Sequence, residues 1–385
     1  MNGMRGAVIV AAVDWHFLKQ RVHHLAAGFA AAGVKVLFIE NTGVRAPRLG
    51  DAGRILQRLR TAASGAGRSA GVPLPENLEV LSPLALPFPY SGTAVAYNFG
   101  VLRRAVTDFF KRHRLEPAET VLCSYLATPV VLRLADALPW GKVVYDVVSD
   151  PKLVEPRLAP YERRFLQRAD VTLFASATLL EQYRAETRNP VLFRDGFNTE
   201  LLYAGAEVPP EVARLPRPRL LYLGGINRKL WVEAVEAMAL GLPKASIILI
   251  GPVAMDEVSL PKLPNVHWFP PRKRYEELAG FLRAADVGLI PYRPDPYAGA
   301  MHPAKLNEYL VFGLPVVATA TPELRRLAAE WPEKTLYLAE TPEEFGRAVN
   351  QAFSEDNDEL RRRRQNVITS LTWSRKISEL LKTIS

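Results

Sequence analysis

The residues best suited to chemistry lie in HPAKLNEYLVFGLPVVAT, residues 302–319. Pro303 suits the first turn of a helix, where its missing N–H is no loss. Leu306, Leu310 and Gly313 recur at helical spacing and form one packing face. Gly313 stands where a left-handed stop is wanted, Pro315 forbids continuation, and Val316 and Val317 open a buried strand. Lys305 and Glu308 are left over, three apart and off the apolar face. As a solvated ion pair they would contribute about a few tenths of a kcal/mol. A first-turn lysine, however, adds charge to the positive end of the helix dipole, and Lys before Glu is the weaker order. The pattern makes sense if an anion docks at the helix start while Glu308 accepts hydrogen bonds from a diol. From the pair alone both readings stay open.

Such a helix needs a scaffold, and the chain supplies a regular one. Short apolar runs occur at 7–13, 35–40, 78–82, 120–125, 142–148 and 171–176, with helical patterns between most of them. A second series follows at 219–224, 246–251, 265–269, 286–292, 315–319 and 335–339. Continuous apolar strands alternating with helices predict α/β domains with parallel sheets covered on both faces. The proline-rich stretch 196–219 has no sustained period and reads as a linker. Residues 359–385 read as helical with no strand after them. The expected domains are therefore 1–195 and 196–358, followed by a terminal helix over 359–385. In two doubly wound domains facing each other, a ligand is expected between them, at the carboxyl ends of the strands.

The bulk properties narrow the class. At 385 residues, 48% hydrophobic and 23% charged, the chain describes a soluble globular protein of two domains. No stretch approaches the roughly 20 apolar residues that span a bilayer. AVIVAAV at 7–13 runs into Asp14 and reads as a first buried strand rather than a secretory signal. The single cysteine, Cys123, excludes an internal disulfide, sits in an apolar run, and fits a reducing cytoplasm. A net charge of +9 is compatible with nucleic acid, an anionic membrane surface or phosphorylated small molecules. No nucleic-acid-binding motif accompanies it. Basic residues cluster between Arg45 and Arg68 and in KRHR at 111–114. The first cluster could lie on anionic lipid or be an ordinary solvated helix.

An ordered set of motifs carries a family resemblance. DWHFLKQRVHHLAAGFAAAGVKVLFIE, LSPLALPFP, VVYDVVSD, ADVTLFAS, DGFNTELL, LLYLGGI, IILIGPV, PNVHWFPPRKRYEELAGFLRAADVGLIPY and HPAKLNEYLVFGLPVVAT follow one another along nearly the whole chain. In that order they resemble the GT-B glycosyltransferases of the large group 1, family 4 type. More narrowly they are similar to bacterial enzymes of exopolysaccharide and teichuronic-acid assembly. The resemblance implies two facing Rossmann-like domains, with the terminal helix crossing back to the first and Trp373 placed to anchor it.

The resemblance also implies roles. Glu308 would bind the ribose hydroxyls of a nucleotide-sugar, and the helix start from His302 to Lys305 would hold its diphosphate. Arg228 and Lys229 would be further phosphate cations, and Gly224 and Gly225 would allow close backbone approach. In the first domain Asp14, His16 and Arg21 are candidates beside donor and acceptor, while His23 and His24 read as structural. Asp146 and Asp150 would either face the ligand or cap the following helix. Two departures stand out: Ala300 occupies the position of a glutamate common in relatives, and DWHFLKQ replaces the usual glycine-rich loop.

The implied activity is transfer of a sugar from a nucleotide-diphosphate donor to a glycan or polyprenyl-linked acceptor in cell-surface polysaccharide synthesis. A retaining course needs no dedicated base; an inverting one would recruit Asp14 or Asp150. No metal and no cofactor beyond the donor substrate is expected, and no nucleic-acid partner. The expected location is cytoplasmic, peripheral on the inner face of the membrane. A nucleotide-sugar epimerase or an inactive sugar-nucleotide binder on the same fold are the alternatives.

Overall fold

The computed structural model describes residues 3–16, 19–40, 42, 74–197, 199–254, 259–272 and 274–384. The arginine-rich stretch 45–68, with Arg54, Arg58 and Arg60, lies outside the described residues. The chain divides into two compact units. One comprises Met1–Arg194 and Lys376–Ser385, the other Asp195–Arg375.

The first unit is built on a seven-stranded parallel sheet. Its strands are β1 (Gly6–Val10), β2 (Lys35–Ile39), β3 (Leu78–Leu81), β4 (Thr120–Ser124), β5 (Lys142–Val147), β6 (Val171–Phe174) and β7 (Pro190–Leu192). Their order is β3-β2-β1-β4-β5-β6-β7. Every residue of β1 and β4 is buried, as a sheet covered on both faces requires. Cys123 lies in β4, wholly buried, and burial pushes its thiol pKa up. Six of these strands fall on the apolar runs of the sequence. The seventh does not: three residues opening on a proline offer no run to read.

The second unit carries a six-stranded parallel sheet. Its strands are β8 (Arg219–Leu223), β9 (Ser246–Ile250), β10 (Val266–Phe269), β11 (Val287–Ile290), β12 (Val316–Thr319) and β13 (Leu336–Ala339), ordered β10-β9-β8-β11-β12-β13. The order reverses direction between β8 and β11, which pair only through Val287 with Leu220 and Gly288 with Leu221. Beyond those pairs the strands part, and the crevice at such a point is where open α/β sheets bind ligands.

Two expectations are corrected. Residues 196–219 are not a loose linker. Leu201 and Val212 are buried in the second unit's core, and Phe197 bridges to Thr372, with Phe197 N–H donating to Leu371 O at 3.0 Å. Nor is 359–385 one helix returning to the first unit. It forms two, Asp358–Thr369 and Trp373–Ile384, and the former belongs to the second unit. The reason is Arg364. In a run of four arginines it reads as solvated, yet it is buried, donates to Gly313 O at 2.8 Å and Lys334 O at 3.1 Å, and pairs with Asp356. The last helix begins in the second unit at the buried Trp373, and from Lys376 onward it is part of the first, burying Ile377, Leu380 and Ile384.

A buried acidic cluster in the first unit has a consequence for stability. Glu162 on the helix Ala159–Arg168 is fully buried, accepts from Tyr145 Oη at 3.4 Å, and lies near Asp150, Lys152 and Glu186. Burial, then the charge of Asp150, raises its pKa from 4.5 to about 8. Between those values the unfolded chain has lost the proton that the native chain keeps. Stability therefore falls as pH rises through this window and levels off above it, by on the order of a few kcal/mol. Glu162→Gln should flatten this dependence, so that thermal unfolding at pH 5 and pH 8 separates wild type more than variant. An equal separation in both proteins would place the proton elsewhere.

Candidate functional site

The helix foreseen in the 302–319 stretch runs Ala304–Val311, with Pro303 as its N-cap and no side chain capping the first turn. That leaves the leading N–H groups open to an external acceptor. Gly313 adopts φ +72°, and the N–H groups of Gly313 and Leu314 close on Leu310 O and Tyr309 O. Tyr309 fixes the helix against the sheet. Its hydroxyl accepts from Leu223 N–H at 2.9 Å and donates to Leu289 O at 3.2 Å, filling the gap where β8 and β11 part. Gly288 makes room, since a Cβ there would lie 2.5 Å from the Tyr309 ring.

Lys305 stands one helical turn before Tyr309 and is buried. Its Nζ lies 3.6 Å from the centre of the Tyr222 ring and 5.0 Å from that of Tyr292. Tyr222 in turn donates its hydroxyl to Gly225 O at 2.9 Å, which fixes the loop after β8. Gly224 has φ +129°, and a Cβ there would come within 3.0 Å of Lys305 Nζ, so this backbone approaches the ammonium directly. Burial, reinforced by the charge of Lys229, holds the Lys305 pKa well below the usual lysine range, while Glu308 pulls it back up. Lys229 and the exposed Arg228 both lie over the Tyr297 ring, at 5.0 and 5.7 Å from its centre.

Glu308 is half-buried and accepts a hydrogen bond from Tyr275 Oη. Burial raises its pKa; the Tyr275 hydrogen bond and Lys305 counter that, and Asp195 adds to it. His302 is buried just ahead of the helix, and the Asn307 amide donates to Asp195 O at 2.8 Å. The second unit thus gathers Gly224, Gly225, Lys229, Lys305 and Glu308 around one helix start, with Arg228 at its edge. Sequence reading missed Tyr222, Tyr275, Tyr292 and Tyr309. Tyr222, Tyr292 and Tyr309 stand in apolar stretches and look like core, Tyr275 sits among charges in RKRYEEL, and nothing local signals which group each will meet. Two neighbouring cations held near bare N–H groups cost energy when empty, and an arriving anion would relieve both burial and repulsion.

The first-unit candidates are placed differently. The loop after β1 is held by Trp15, whose N–H donates to Glu40 Oε1 at 2.8 Å and whose ring packs on His23 and Phe38. His23 Nδ1 accepts from Gln20 N–H at 3.0 Å, so the proton sits on Nε2, which donates to Asp14 O at 3.2 Å. Burial lowers the His23 pKa and keeps the ring neutral and structural. Asp14 is half-buried and His16 exposed in this loop. Arg21 is engaged structurally: its guanidinium makes buried hydrogen bonds of 2.8 and 2.9 Å to both Asp146 oxygens and stacks 4.7 Å from the Phe193 ring centre. Asp150 accepts from Lys152 N–H at 3.0 Å, Gln182 Nε2 at 2.9 Å and Tyr183 Oη at 2.9 Å. Of its two expected roles, capping is the one this geometry matches. Among the described residues, no group of three or more His, Cys, Asp or Glu side chains is placed to hold a metal ion.

The fold and the second unit have counterparts among known proteins. Residues 217–355 match the family model for glycosyl transferases group 1. The whole fold superposes on sucrose-phosphate synthase from Thermosynechococcus elongatus with a TM-score of 0.70 at 14% identity, covering 98% of each chain. It also superposes on Anabaena Alr3699/HepE in complex with UDP-glucose, with a TM-score of 0.65 at 14% identity over 98% of this chain and 99% of that one. The fold is that of the GT-B glycosyltransferases, and residues 217–355 of the second unit carry the group 1 glycosyltransferase domain. Among curated proteins the chain is similar to TuaH of Bacillus subtilis (strain 168), named as a candidate teichuronic acid biosynthesis glycosyltransferase. The two are 26% identical over 309 residues, which is 72% of this chain and 77% of the relative.

The close approach at Gly224 is directly testable. An L side chain at φ +129° is strained, and its Cβ would press on Lys305 Nζ. Gly224→Ala should lower stability by about 1–2 kcal/mol, read as a depressed melting temperature of the full chain. An unchanged melting temperature would mean that the backbone at 224 is not held as described.

Proposed function

We propose that the second unit binds a nucleoside-diphosphate sugar at the start of the helix Ala304–Val311, and that the chain transfers its glycosyl group to a saccharide acceptor. The observation that carries this reading is the buried Lys305, set beside Lys229 and the Gly224 backbone at an uncapped helix start, with Glu308 one turn further on. Lys305, Lys229, Arg228 and the helix N–H groups would stabilise the diphosphate as it leaves, which is where negative charge develops. Glu308 would accept the two hydroxyls of the ribose. In this course the bond from the anomeric carbon to the phosphate oxygen breaks and the acceptor oxygen takes its place. The acceptor proton passes to the departing phosphate oxygen, and configuration is retained. Those three cations supply the charge that a metal ion would otherwise bring.

The acceptor in this proposal is a growing, polyprenyl-linked glycan of the cell surface. The support is similarity to a relative named for teichuronic acid biosynthesis. Such an acceptor places the enzyme at the inner face of the cytoplasmic membrane, and the net charge of +9 suits an anionic surface.

Calorimetric titration with nucleoside and nucleoside diphosphate tests the donor site. Glu308→Gln keeps size but removes charge-assisted hydrogen bonds worth roughly 1.5–3 kcal/mol, so affinity for both ligands should fall about 10- to 150-fold. Lys305→Ala should weaken the diphosphate far more than the nucleoside. Unchanged affinities in a folded Glu308→Gln protein would overturn the assignment. Transfer from a panel of labelled nucleotide-sugars, with donor-alone controls, then separates transferase from epimerase.

Tyr275 supplies a further check through pH. Its hydroxyl favours the ionised form of Glu308, so Tyr275→Phe raises that pKa further. Affinity that requires the carboxylate is lost as pH falls through this pKa. The loss should therefore begin at a higher pH in Tyr275→Phe than in wild type, and identical profiles would remove Tyr275 from the site.

A further inference from the structure

Immediately after β3, residues 82–88 carry an inverted pattern of exposure. Leu84, Leu86 and Phe88 are 48%, 42% and 56% exposed, while Pro83, Ala85 and Pro87 between them are more buried. The three apolar side chains are thus turned outward at alternate positions, a short exposed stripe. The helix Gly92–His113, on which Tyr97 is 47% exposed, holds the segment in place. Its buried Asn98 clamps Leu86, accepting from Leu86 N–H at 2.7 Å and donating to Leu86 O at 3.1 Å.

We infer that this stripe inserts among the lipids of an anionic bilayer surface and seats the first unit on it. This rests on the reading of the protein as one that works at a membrane face. Three observations favour lipid over another occupant. Pro83, Pro87 and Pro89 lack N–H groups, so the segment cannot extend the sheet edge at β3 by adding a partner strand. Part of its remaining backbone is satisfied internally: Leu86 by Asn98, Ala85 N–H by Pro83 O, and Phe88 O by Ser91 N–H. Groups paired in this way add no polar cost when the side chains beside them enter an apolar phase. Finally, the supporting helix exposes Arg103, Arg104 and Lys111 against Asp108, an excess of positive charge complementary to anionic headgroups.

Co-sedimentation of the full chain with phosphatidylcholine vesicles, with and without phosphatidylglycerol, tests this. Wild type should bind the anionic vesicles, less so in high salt, and a Leu84→Ser, Leu86→Ser, Phe88→Ser triple variant should bind about tenfold or more weakly. Its melting temperature and nucleotide affinity should stay unchanged, because the altered side chains are exposed and lie outside the unit proposed to bind the donor. Phe88→Trp should gain fluorescence quenching by brominated lipid, which reports insertion at that position. Wild type and triple variant binding equally, with no quenching at position 88, would overturn the stripe while leaving membrane association intact. Failure of wild type to bind anionic vesicles would overturn both. A wild-type dimer that the triple variant converts to monomer would identify a second copy as the occupant and overturn the lipid assignment.

Discussion

The candidate donor site depends on how the second sheet is kept open where β8 and β11 part. Parallel strands that diverge leave a backbone N–H and a carbonyl without strand partners, and buried groups of this kind must find others. The Tyr309 hydroxyl meets both, Leu223 N–H on one side and Leu289 O on the other. One oxygen therefore stabilises the crevice and fixes the register of the helix that fills it. With Tyr309 pinned, the residue four earlier must lie on the same helical face and look toward the end of β8. That residue is Lys305, and its burial follows from the register. Sequence reading had set Lys305 apart from the packed face; the tyrosine one turn along puts it there.

Burying an ammonium needs compensation, and the surroundings supply it in a form that an anion can exploit. The Tyr222 face, at 3.6 Å, offers a quadrupole in place of water. The same ring's hydroxyl anchors Gly225 O, so the loop that exposes Gly224 is held by the residue that stabilises the cation. A carboxylate in direct contact would have neutralised the lysine permanently. Glu308 is near enough to raise its pKa yet is itself engaged by Tyr275. Lys305 is thus incompletely compensated, and an anion brought to it would favour its protonated form.

Legibility in the sequence followed the range of the interactions. Strands buried on both faces announce themselves as apolar runs, so twelve of the strands in the two sheets could be read. Gly313 and Pro315 marked the end of the site helix for reasons confined to five residues. Lys305 and Glu308 stood out because their order opposed the helix dipole. What could not be read was set by distant partners. Arg364 is buried because Gly313 O and Asp356 await it, and Tyr275 matters because Glu308 lies 33 positions away. The stretch 196–219 lacked a period because its apolar residues, Leu201 and Val212, serve a core built elsewhere.

The carboxylates of the first unit bear on the chemistry in a similar way. Asp146 meets Arg21 through two hydrogen bonds, Asp150 has three donors, and Glu40 holds Trp15 N–H and the Ser82 hydroxyl. Each would have to surrender such contacts to act as a proton acceptor, and buried charge-assisted hydrogen bonds are costly to break. His23, neutral and bonded through both ring nitrogens, is equally committed. An inverting transfer needs a base poised over the acceptor, and Asp150 would have to give up some of its three donors to serve as one. A retaining transfer asks only that the leaving phosphate oxygen take the proton. In the proposed site that oxygen would be held by Lys305 and its neighbours.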